Sequence, residues 1–165
     1  MKGINMRNIS EGEFNTKYKL YKDTIYNIAY TYFKNVSDSE DIVQEVFIKY
    51  LNSDKVFKNL DNEKYFLIRV TINECKNMLK SSWKKKVKVD EESILNISDD
   101  TEKEKYFKVV SSLQEKYKEV IILYYYENLT INDIAQILNI SSSNVKKRLE
   151  RGRLKIKEAI LDEGL

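Results

Sequence analysis

Basic side chains are concentrated in one stretch near the carboxyl end of the chain. Between residues 144 and 157, seven lysines and arginines are opposed by one acidic residue, Glu150. Lysine and arginine on a single element neutralise phosphates, and short polar side chains at the start of a helix can reach base edges in a major groove. The pattern therefore predicts non-covalent recognition of duplex DNA by Ser142, Ser143, Asn144, Lys146, Lys147, Arg148, Arg151 and Arg153.

The residues that would position these side chains have the pattern of a helix-turn-helix, LTINDIAQILNISSSNVKKRLERGR at 129–153. Two polar residues can form a capping box, an asparagine at the turn tolerates a left-handed backbone, and a serine can cap the second helix. They are Thr130 with Asp133, Asn139, and either Ser141 or Ser142. The expected buried residues are Ile134, Ala135, Leu138, Ile140, Val145 and Leu149. The alternative is a solvated basic helix in an ordinary helical bundle.

A second cluster has the opposite charge. In SDSEDIVQEVF, residues 37–47, apolar residues repeat at helical spacing and acidic residues lie to one side of them. Ser37 or Ser39 can cap this helix. The acidic side predicts a surface for a basic partner. The alternative is that the acids only stabilise the positive amino end of the helix.

A third cluster combines bases, amides and aromatic rings on a predicted helix, residues 64–83. Aromatic rings beside amides and basic groups suit single-stranded nucleic acid, because unstacked bases offer both faces and edges. Phe66 and Trp83 are the aromatic residues, and packing in a core explains them equally well at this point. The polar members are Lys64, Arg69, Asn73, Lys76, Asn77 and Lys80.

Composition argues against catalysis. The chain of 165 residues has no histidine, one cysteine and four glycines, and no glycine-rich phosphate loop is present. We therefore expect no enzyme activity, no metal site, no cofactor and no disulfide, with Cys75 as a buried apolar residue. No apolar run is long enough to span a membrane and the start does not resemble a signal peptide, which favours a cytoplasmic protein.

The elements expected to carry these clusters are all helical. We predict an all-α fold of two small helical domains, residues 14–83 and 106–165, joined by a flexible linker at 84–105 and preceded by a tail at 1–13. Helices are expected at 14–33, around the acidic cluster and at 64–83. Residues 52–64 are expected to form a loop with a short turn of helix, and residues 106–129 open the second domain. The helix of the acidic cluster should bury Ile42, Val43, Val46, Phe47, Tyr50 and Leu51.

Three segments, in order, resemble parts of bacterial sigma factors. SDSEDIVQEVFIKYL resembles the acidic helix that grips the coiled coil of RNA polymerase's largest subunit. KYFLIRVTINECKNMLKSSWKKK resembles the helix that holds the melted minus-ten element, and LQEKYKEVIILYYYENLTINDIAQILNISSSNVKKRLERGRLKIKEAI resembles the domain that reads the minus-35 element. The order, spacing and tether resemble the extracytoplasmic-function (ECF) group of the sigma-70 family.

The resemblance implies a sigma factor that binds core RNA polymerase through the clamp coiled coil and the flap of the second largest subunit. It also implies promoter DNA and an anti-sigma factor as partners. The implied polymerase contacts are Asp38, Asp41, Gln44, Glu45 and Ile48. The implied minus-ten contacts are Phe57, Lys58, Asn59, Lys64, Arg69, Asn73, Lys76, Asn77 and Lys80, with residues 57–64 forming a pocket for an extruded base. The minus-35 contacts are those of the basic helix.

The chain departs from the family's usual pattern at several positions, including Ile72, Asn77 and Asn139. These departures bear on base preference rather than on the class. The alternative function is a stand-alone helix-turn-helix regulator, which predicts a dimer, palindromic sites and no dependence on polymerase. A nucleic-acid-processing enzyme is a more distant alternative, because it would need a metal site made of Asp and Glu alone.

Overall fold

The structure, a computed structural model, describes residues 7–81 and 101–162 of the chain. Within these two ranges every regular element is a helix, which confirms the predicted all-α fold. The chain divides into two compact units, unit 1 (Met1–Asp90) and unit 2 (Glu91–Leu165), and each is described by itself. Trp83, most of the expected linker, the first six residues of the expected tail and the last three residues of the chain lie outside the described ranges.

The described part of unit 1, residues 7–81, contains three mutually packed helices, α1 (Glu11–Phe33), α2 (Val36–Leu51) and α3 (Leu60–Ser81). A capping box of Ser10 and Glu13 starts α1, because each side chain accepts from the other residue's backbone N–H. The predicted α2 core is confirmed except at Leu51, which is only half-buried. Cys75 is 0% exposed, as expected for a small apolar residue.

Two helix starts in unit 1 differ from the sequence prediction. Asn35, not Ser37 or Ser39, caps α2: its Oδ1 accepts from the Asp38 N–H at 2.8 Å. Ser39 lies inside the helix, where its hydroxyl donates to the Asn35 carbonyl. The third helix begins at Leu60, earlier than the expected Lys64, because Asn59 Oδ1 accepts from the Asn62 N–H at 2.9 Å and so satisfies a free donor of the first turn.

Unit 2 contains four α-helices and one π-helical turn in its described part. They are α4 (Thr101–Ser112), α5 (Glu115–Ile121), the π-helical turn (Ile122–Tyr126), α6 (Ile131–Leu138) and α7 (Ser142–Asp162). The segment 106–129, which opens the second predicted domain, therefore forms three helical pieces. Its first break lies at Leu113 and Gln114, where the N–H of Leu113 bonds to Val110 and α5 starts anew. Residues 101–105, expected in the linker, form the start of α4.

The helix-turn-helix of α6 and α7 has the predicted local chemistry. Thr130 and Asp133 form the capping box, and Asn139 has a left-handed backbone with φ of 53°. Ser141, rather than Ser142, caps α7, since its Oγ accepts from the Asn144 N–H at 3.0 Å. Ile134, Ala135, Val145 and Leu149 are buried as predicted, whereas Leu138 and Ile140 are half-buried.

A close helix crossing joins α5 to α7. Gly152 is buried at this crossing, and a Cβ built there would lie 3.0 Å from Ile121 Cγ1 and 3.6 Å from Tyr117 Cβ. Only a residue without a side chain lets the two helices approach this closely without a shift. The crossing fixes the carboxyl half of α7 against the rest of unit 2.

Candidate nucleic-acid and protein interfaces

The acidic cluster forms an exposed stripe on α2. We call Asp38, Asp41, Gln44, Glu45 and Ile48 the acidic face. Four of them are exposed, including Ile48 at 50% exposure, whereas Asp38 is half-buried. The Asp38 carboxylate accepts from Asn35 Nδ2 at 2.8 Å, so it also belongs to the helix cap. The core takes the opposite side of α2, and the acidic face is left for a partner.

The polar residues of α3 divide by exposure. Arg69, Asn73, Asn77 and Lys80 are exposed and follow each other at helical spacing, so they share one face; we call them the α3 row. The two other predicted bases, Lys64 and Lys76, are half-buried. Amide and basic groups along one exposed face can contact bases and phosphates together.

The loop between α2 and α3, residues 52–59, carries the remaining predicted minus-ten residues. Lys58 and Asn59 are exposed, and Asn59 is also the cap of α3. Phe57 is half-buried between two rings: its centroid is 6.3 Å from that of Tyr50, in a nearly parallel stack, and 5.2 Å from that of Phe66. Phe57 and Phe66 are therefore packing residues at the edge of the core, and each keeps part of its surface in solvent.

Sequence analysis missed Arg7, which we placed in a tail. Its backbone N–H donates to the Leu51 carbonyl at 2.6 Å, and its Nη2 donates to the Lys55 carbonyl. The guanidinium carbon lies 4.6 Å from the centre of the Tyr50 ring and 4.9 Å from that of Phe57. An isolated arginine near the start of a chain carries no periodic signal, so no pattern pointed to it.

Sequence analysis also missed Glu63, a buried carboxylate at the centre of unit 1. It is 4% exposed, and it accepts hydrogen bonds from Lys17 Nζ at 2.6 Å, Tyr50 OH at 2.6 Å and Tyr21 OH at 3.0 Å. We call these four residues the Glu63 network. The sequence did contain a signal for the burial of Glu63, since it lies one helical turn before the buried Leu67 on the apolar side of α3.

The electrostatics of the network favour an ionised Glu63 and neutral phenols. Burial acts to raise the pKa of Glu63, but the hydrogen bonds from Lys17, Tyr50 and Tyr21 outweigh it, and the pKa is lowered from 4.5. Burial and the bond to Glu63 raise the pKa of Tyr50 to about 12. Burial likewise raises the pKa of Tyr21. The network therefore keeps one buried charge, paired with Lys17, at neutral pH.

An open groove of about 760 Å³ lies between the start of the described chain, α1 and the α2–α3 loop. Its lining includes Arg7, Lys17, Phe57, Asn59 and Glu63. The missed residues Arg7 and Glu63 thus border the same groove as the predicted loop residues.

The amino half of α7 presents most of the predicted duplex-reading residues. Ser143, Lys146, Lys147 and Arg151 are exposed, while Ser142, Asn144 and Arg148 are half-buried. The Ser142 hydroxyl donates to Asn132 Oδ1 at 2.9 Å, a contact that ties the start of α7 to α6. Val145 and Leu149 hold the other side of the helix in the core. The first turns of α7 are thus presented on a fixed support.

Arg153 differs from the other members of the predicted set. Its Nε donates to Tyr125 OH at 2.5 Å, and its guanidinium lies 5.8 Å from the Tyr124 ring centre and 5.6 Å from that of Tyr125. The π-helical turn supplies both rings. The side chain therefore packs on its own unit.

An apolar groove of about 470 Å³ lies beside Arg153 in unit 2. Aromatic and aliphatic side chains of α4, the π-helical turn and the carboxyl half of α7 line it, with Arg153 and Lys157 as its basic members. The exposed apolar residues in its lining are Tyr106, Tyr125, Tyr126 and Leu161. An exposed apolar surface rimmed by charge is typical of a protein-binding site.

Across residues 7–81 and 101–162, no group of three or more His, Cys, Asp and Glu side chains could hold a metal ion. Among the same residues, none of the helices combines the length and the apolar composition required to cross a membrane.

The chain is similar to bacterial transcription initiation factors. Residues 18–85 match the family Sigma-70 region 2, and residues 103–156 match Sigma-70, region 4. RNA polymerase sigma factor SigV of Bacillus subtilis (strain 168) is 32% identical over 138 residues, which are 79% of this chain and 81% of that protein. ECF RNA polymerase sigma factor SigW of the same strain is 30% identical over 166 residues, covering 87% of this chain and 86% of that protein.

Two solved structures share the fold. CnrH in complex with the cytosolic domain of CnrY has a TM-score of 0.67 at 17% identity, covering 93% of this chain and 90% of that one. The sigma factor RpoE in complex with the anti-sigma factor NepR from Bartonella quintana has a TM-score of 0.67 at 21% identity, covering 88% and 95%.

Proposed function

Because the chain belongs to the extracytoplasmic-function group of the sigma-70 family, we propose how its surfaces divide the work of initiating transcription. The protein is an RNA polymerase sigma factor that binds core polymerase and directs initiation at specific promoters. The alternative of a stand-alone helix-turn-helix regulator is not favoured, because region 2 precedes region 4 in this chain. Sigma factors are non-enzymatic; we propose that this one has no catalysis of its own and works in the cytoplasm.

We assign polymerase binding to the acidic face of α2. The face is exposed, carries three carboxylates and one large apolar side chain, and needs no rearrangement of the core to be available. A basic partner surface would be drawn to the carboxylates, and Ile48 would supply buried apolar area at the contact. By resemblance, that partner is the clamp coiled coil of the largest polymerase subunit.

We assign the minus-ten element to the α3 row and the α2–α3 loop. Asn73 is exposed in the middle of the row, where its amide can reach the edge of an unstacked base. Arg69 and Lys80 would follow the backbone on either side. Lys64 and Lys76, which are half-buried, would contribute mainly through their charge. The loop residues 57–59 would border the captured base.

We assign the minus-35 element to the amino half of α7. A recognition helix reads base edges with its first turns, and there Ser143, Lys146 and Lys147 are exposed. Arg148 and Arg151 would contact phosphates or guanine edges. Arg153 is the weakest member of the set, because Tyr125 and Tyr124 already hold its guanidinium.

We assign the apolar groove of unit 2 to the flap of the second largest polymerase subunit. Its exposed rings offer apolar area, and Arg153 and Lys157 would select a partner helix with acidic residues at its edge. Two proteins of the same fold were solved in complex with other proteins, CnrH with the cytosolic domain of CnrY and RpoE with the anti-sigma factor NepR. By analogy we propose that an anti-sigma factor controls this protein by covering the polymerase-binding surfaces.

Two modest DNA contacts on one chain add up when both are bound to the same promoter, because the first contact raises the effective concentration of the second. The net charge of the protein is only +3. We therefore propose that the protein binds promoters weakly alone and strongly within the polymerase complex.

The observation that carries this assignment is the pairing of an exposed acidic face on α2 with a capped helix-turn-helix and basic α7 in one chain. Run-off transcription with core polymerase on fragments of the source genome tests it. We expect defined transcripts with the wild type and a loss of more than about tenfold with Glu45→Lys, because the reversed charge meets a basic partner. The transcript starts would locate the promoters.

The matched control is Glu11→Lys, which makes the same charge change at an exposed position in the first turn of α1, on a different helix from the acidic face. It should retain most transcription. Equal loss in both variants would refute the placement of the polymerase contact, and transcripts that never require the wild type would refute the function as a whole.

A further inference from the structure

The α2–α3 loop has few internal means of holding one shape. Val56 is 93% exposed, and the neighbouring Asp54, Lys55 and Lys58 are also exposed, so these side chains bury little surface. A segment like this loses conformational entropy when it must adopt one geometry. The proposed role in base capture requires such a geometry, because a pocket must be present before the base arrives.

Contacts from outside the loop compensate for this weakness, and Arg7 makes several of them. Its backbone N–H bonds to Leu51 where α2 ends, and its Nη2 bonds to the Lys55 carbonyl in the loop itself. Its guanidinium also covers the Tyr50 and Phe57 rings, at 4.6 and 4.9 Å from their centres. One residue, through its backbone and its side chain, thus links the end of α2, the middle of the loop and the ring of Phe57.

We propose that Arg7 is a positioning residue for promoter opening: it holds the α2–α3 loop in the shape that captures an unstacked base of the minus-ten strand. The inference rests on the proposed function of the loop. Arg7 itself does not touch the DNA in this scheme. It acts through Phe57, whose ring stacks on Tyr50, lies against the tilted ring of Phe66 and is covered by the guanidinium.

The chemistry requires arginine in particular. A planar guanidinium can lie on aromatic rings while its edge donates to a carbonyl, whereas the compact ammonium of lysine cannot do both from one position. The Nε of Arg7 is buried and has no hydrogen-bond partner among the described residues. The side chain is therefore held by ring contact and by its Nη2 end, and Arg7→Lys retains the charge but removes this geometry.

The test uses holoenzyme assembled from core polymerase and the full chain. The probe is a single-stranded oligonucleotide with the non-template minus-ten sequence of a promoter mapped by run-off transcription, together with versions that carry one abasic site at each position in turn. For the wild type, the abasic site that weakens binding most identifies the captured base. We expect Arg7→Lys to bind the intact oligonucleotide about tenfold more weakly and to bind that abasic version like the wild type.

Two controls separate positioning from charge and from folding. Lys19→Ala removes a positive charge from an exposed site on α1 and should bind both oligonucleotides like the wild type, whereas Arg7→Ala should behave like Arg7→Lys. Hydrogen–deuterium exchange should rise in residues 52–59 of the Arg7 variants and stay unchanged in the centre of α3. Unchanged assembly with core polymerase would show that unit 1 is still folded.

The remaining outcomes overturn the inference. Equal weakening on intact and abasic oligonucleotides would make Arg7 a contact to the DNA backbone, and no weakening at all would leave it without a role in capture. If no abasic site weakens wild-type binding, the loop does not capture a base, and the role of Arg7 falls with it. In that last case, transcription that still depends on the protein would leave its function as a sigma factor intact.

Discussion

The two units hold their central helices together by different means. In unit 1 the helices meet at a charged group: Glu63 of α3 accepts from Lys17 and Tyr21 of α1 and from Tyr50 of α2. In unit 2 the α5–α7 crossing depends on shape, with Gly152 against Ile121. Hydrogen bonds fix direction as well as distance, whereas a close apolar contact fixes distance alone. Unit 1, whose α2–α3 loop we propose must keep one shape, relies on the more directional interaction, the hydrogen bonds of the Glu63 network.

The largest expected effect is on unit 1. Replacing Glu63 with alanine (Glu63→Ala) should lower its free energy of unfolding by about 3 kcal/mol, because the change leaves the half-buried Lys17 ammonium and two buried phenols without their acceptor. Chemical denaturation combined with hydrogen–deuterium exchange would resolve the two units. Asp61→Ala, at an exposed position in the same first turn of α3, should cost less than about 1 kcal/mol. Comparable losses of unfolding free energy in the two variants would show that the Glu63 network stabilises unit 1 no more than an exposed carboxylate does.

A somewhat smaller effect is expected in unit 2. Gly152→Val should destabilise this unit by about 2 kcal/mol, because its branched side chain must displace Ile121 at a crossing where even a Cβ would lie 3.0 Å from Ile121 Cγ1. Gly152→Ala should cost much less, since its better helix propensity offsets part of the crowding. Thermal unfolding of both variants tests the pair. A tolerated valine would mean that α5 and α7 can move apart freely.

The smallest expected effect is a difference between the two units in how their stability depends on pH. The pKa of Glu63 is lowered from 4.5 in the folded protein, so its stabilising contribution is complete above the unfolded pKa and is lost as pH falls through the folded value. As the pH falls below 5, the free energy of unfolding of unit 1 should therefore decrease more in the wild type than in Glu63→Gln. Unit 2 of the same chain serves as the internal reference. Denaturation series at several pH values would measure the difference. Parallel curves for wild type and variant would contradict the role of this charge.

Local sequence patterns were sufficient for the features that local chemistry determines. The capping box at Thr130 and the left-handed Asn139 involve neighbours within a few residues, so the helix-turn-helix could be predicted in detail. The starts of α2 and α3 differ from the prediction because Asn35 and Asn59 act as their caps. A serine was expected to cap α2, and α3 was expected to begin at Lys64. The π-helical turn was missed because its sequence, ILYYY, has the spacing of an ordinary helix.

Contacts between distant parts of the chain could not be predicted. Lys17 and Glu63 are separated by 46 positions and Arg7 and Lys55 by 48, and no local period connects them. The exposed faces were predicted well, since burial of one helix side determines which residues remain outside. The contacts of individual side chains were harder to predict: the sequence did not indicate that two tyrosine rings lie against Arg153, whose contact with DNA stays a prediction.

Because Cys75 is buried, the reactivity of its thiol can report on the opening of unit 1. The thiol is the only one in the chain and is fully buried in unit 1. Alkylating reagents and oxidants react with a cysteine only when solvent can reach it, so the half-life of the free thiol measures how often unit 1 opens. Unit 2 contains no cysteine and is silent in such an experiment, which lets the lifetime of one unit be followed inside the intact protein.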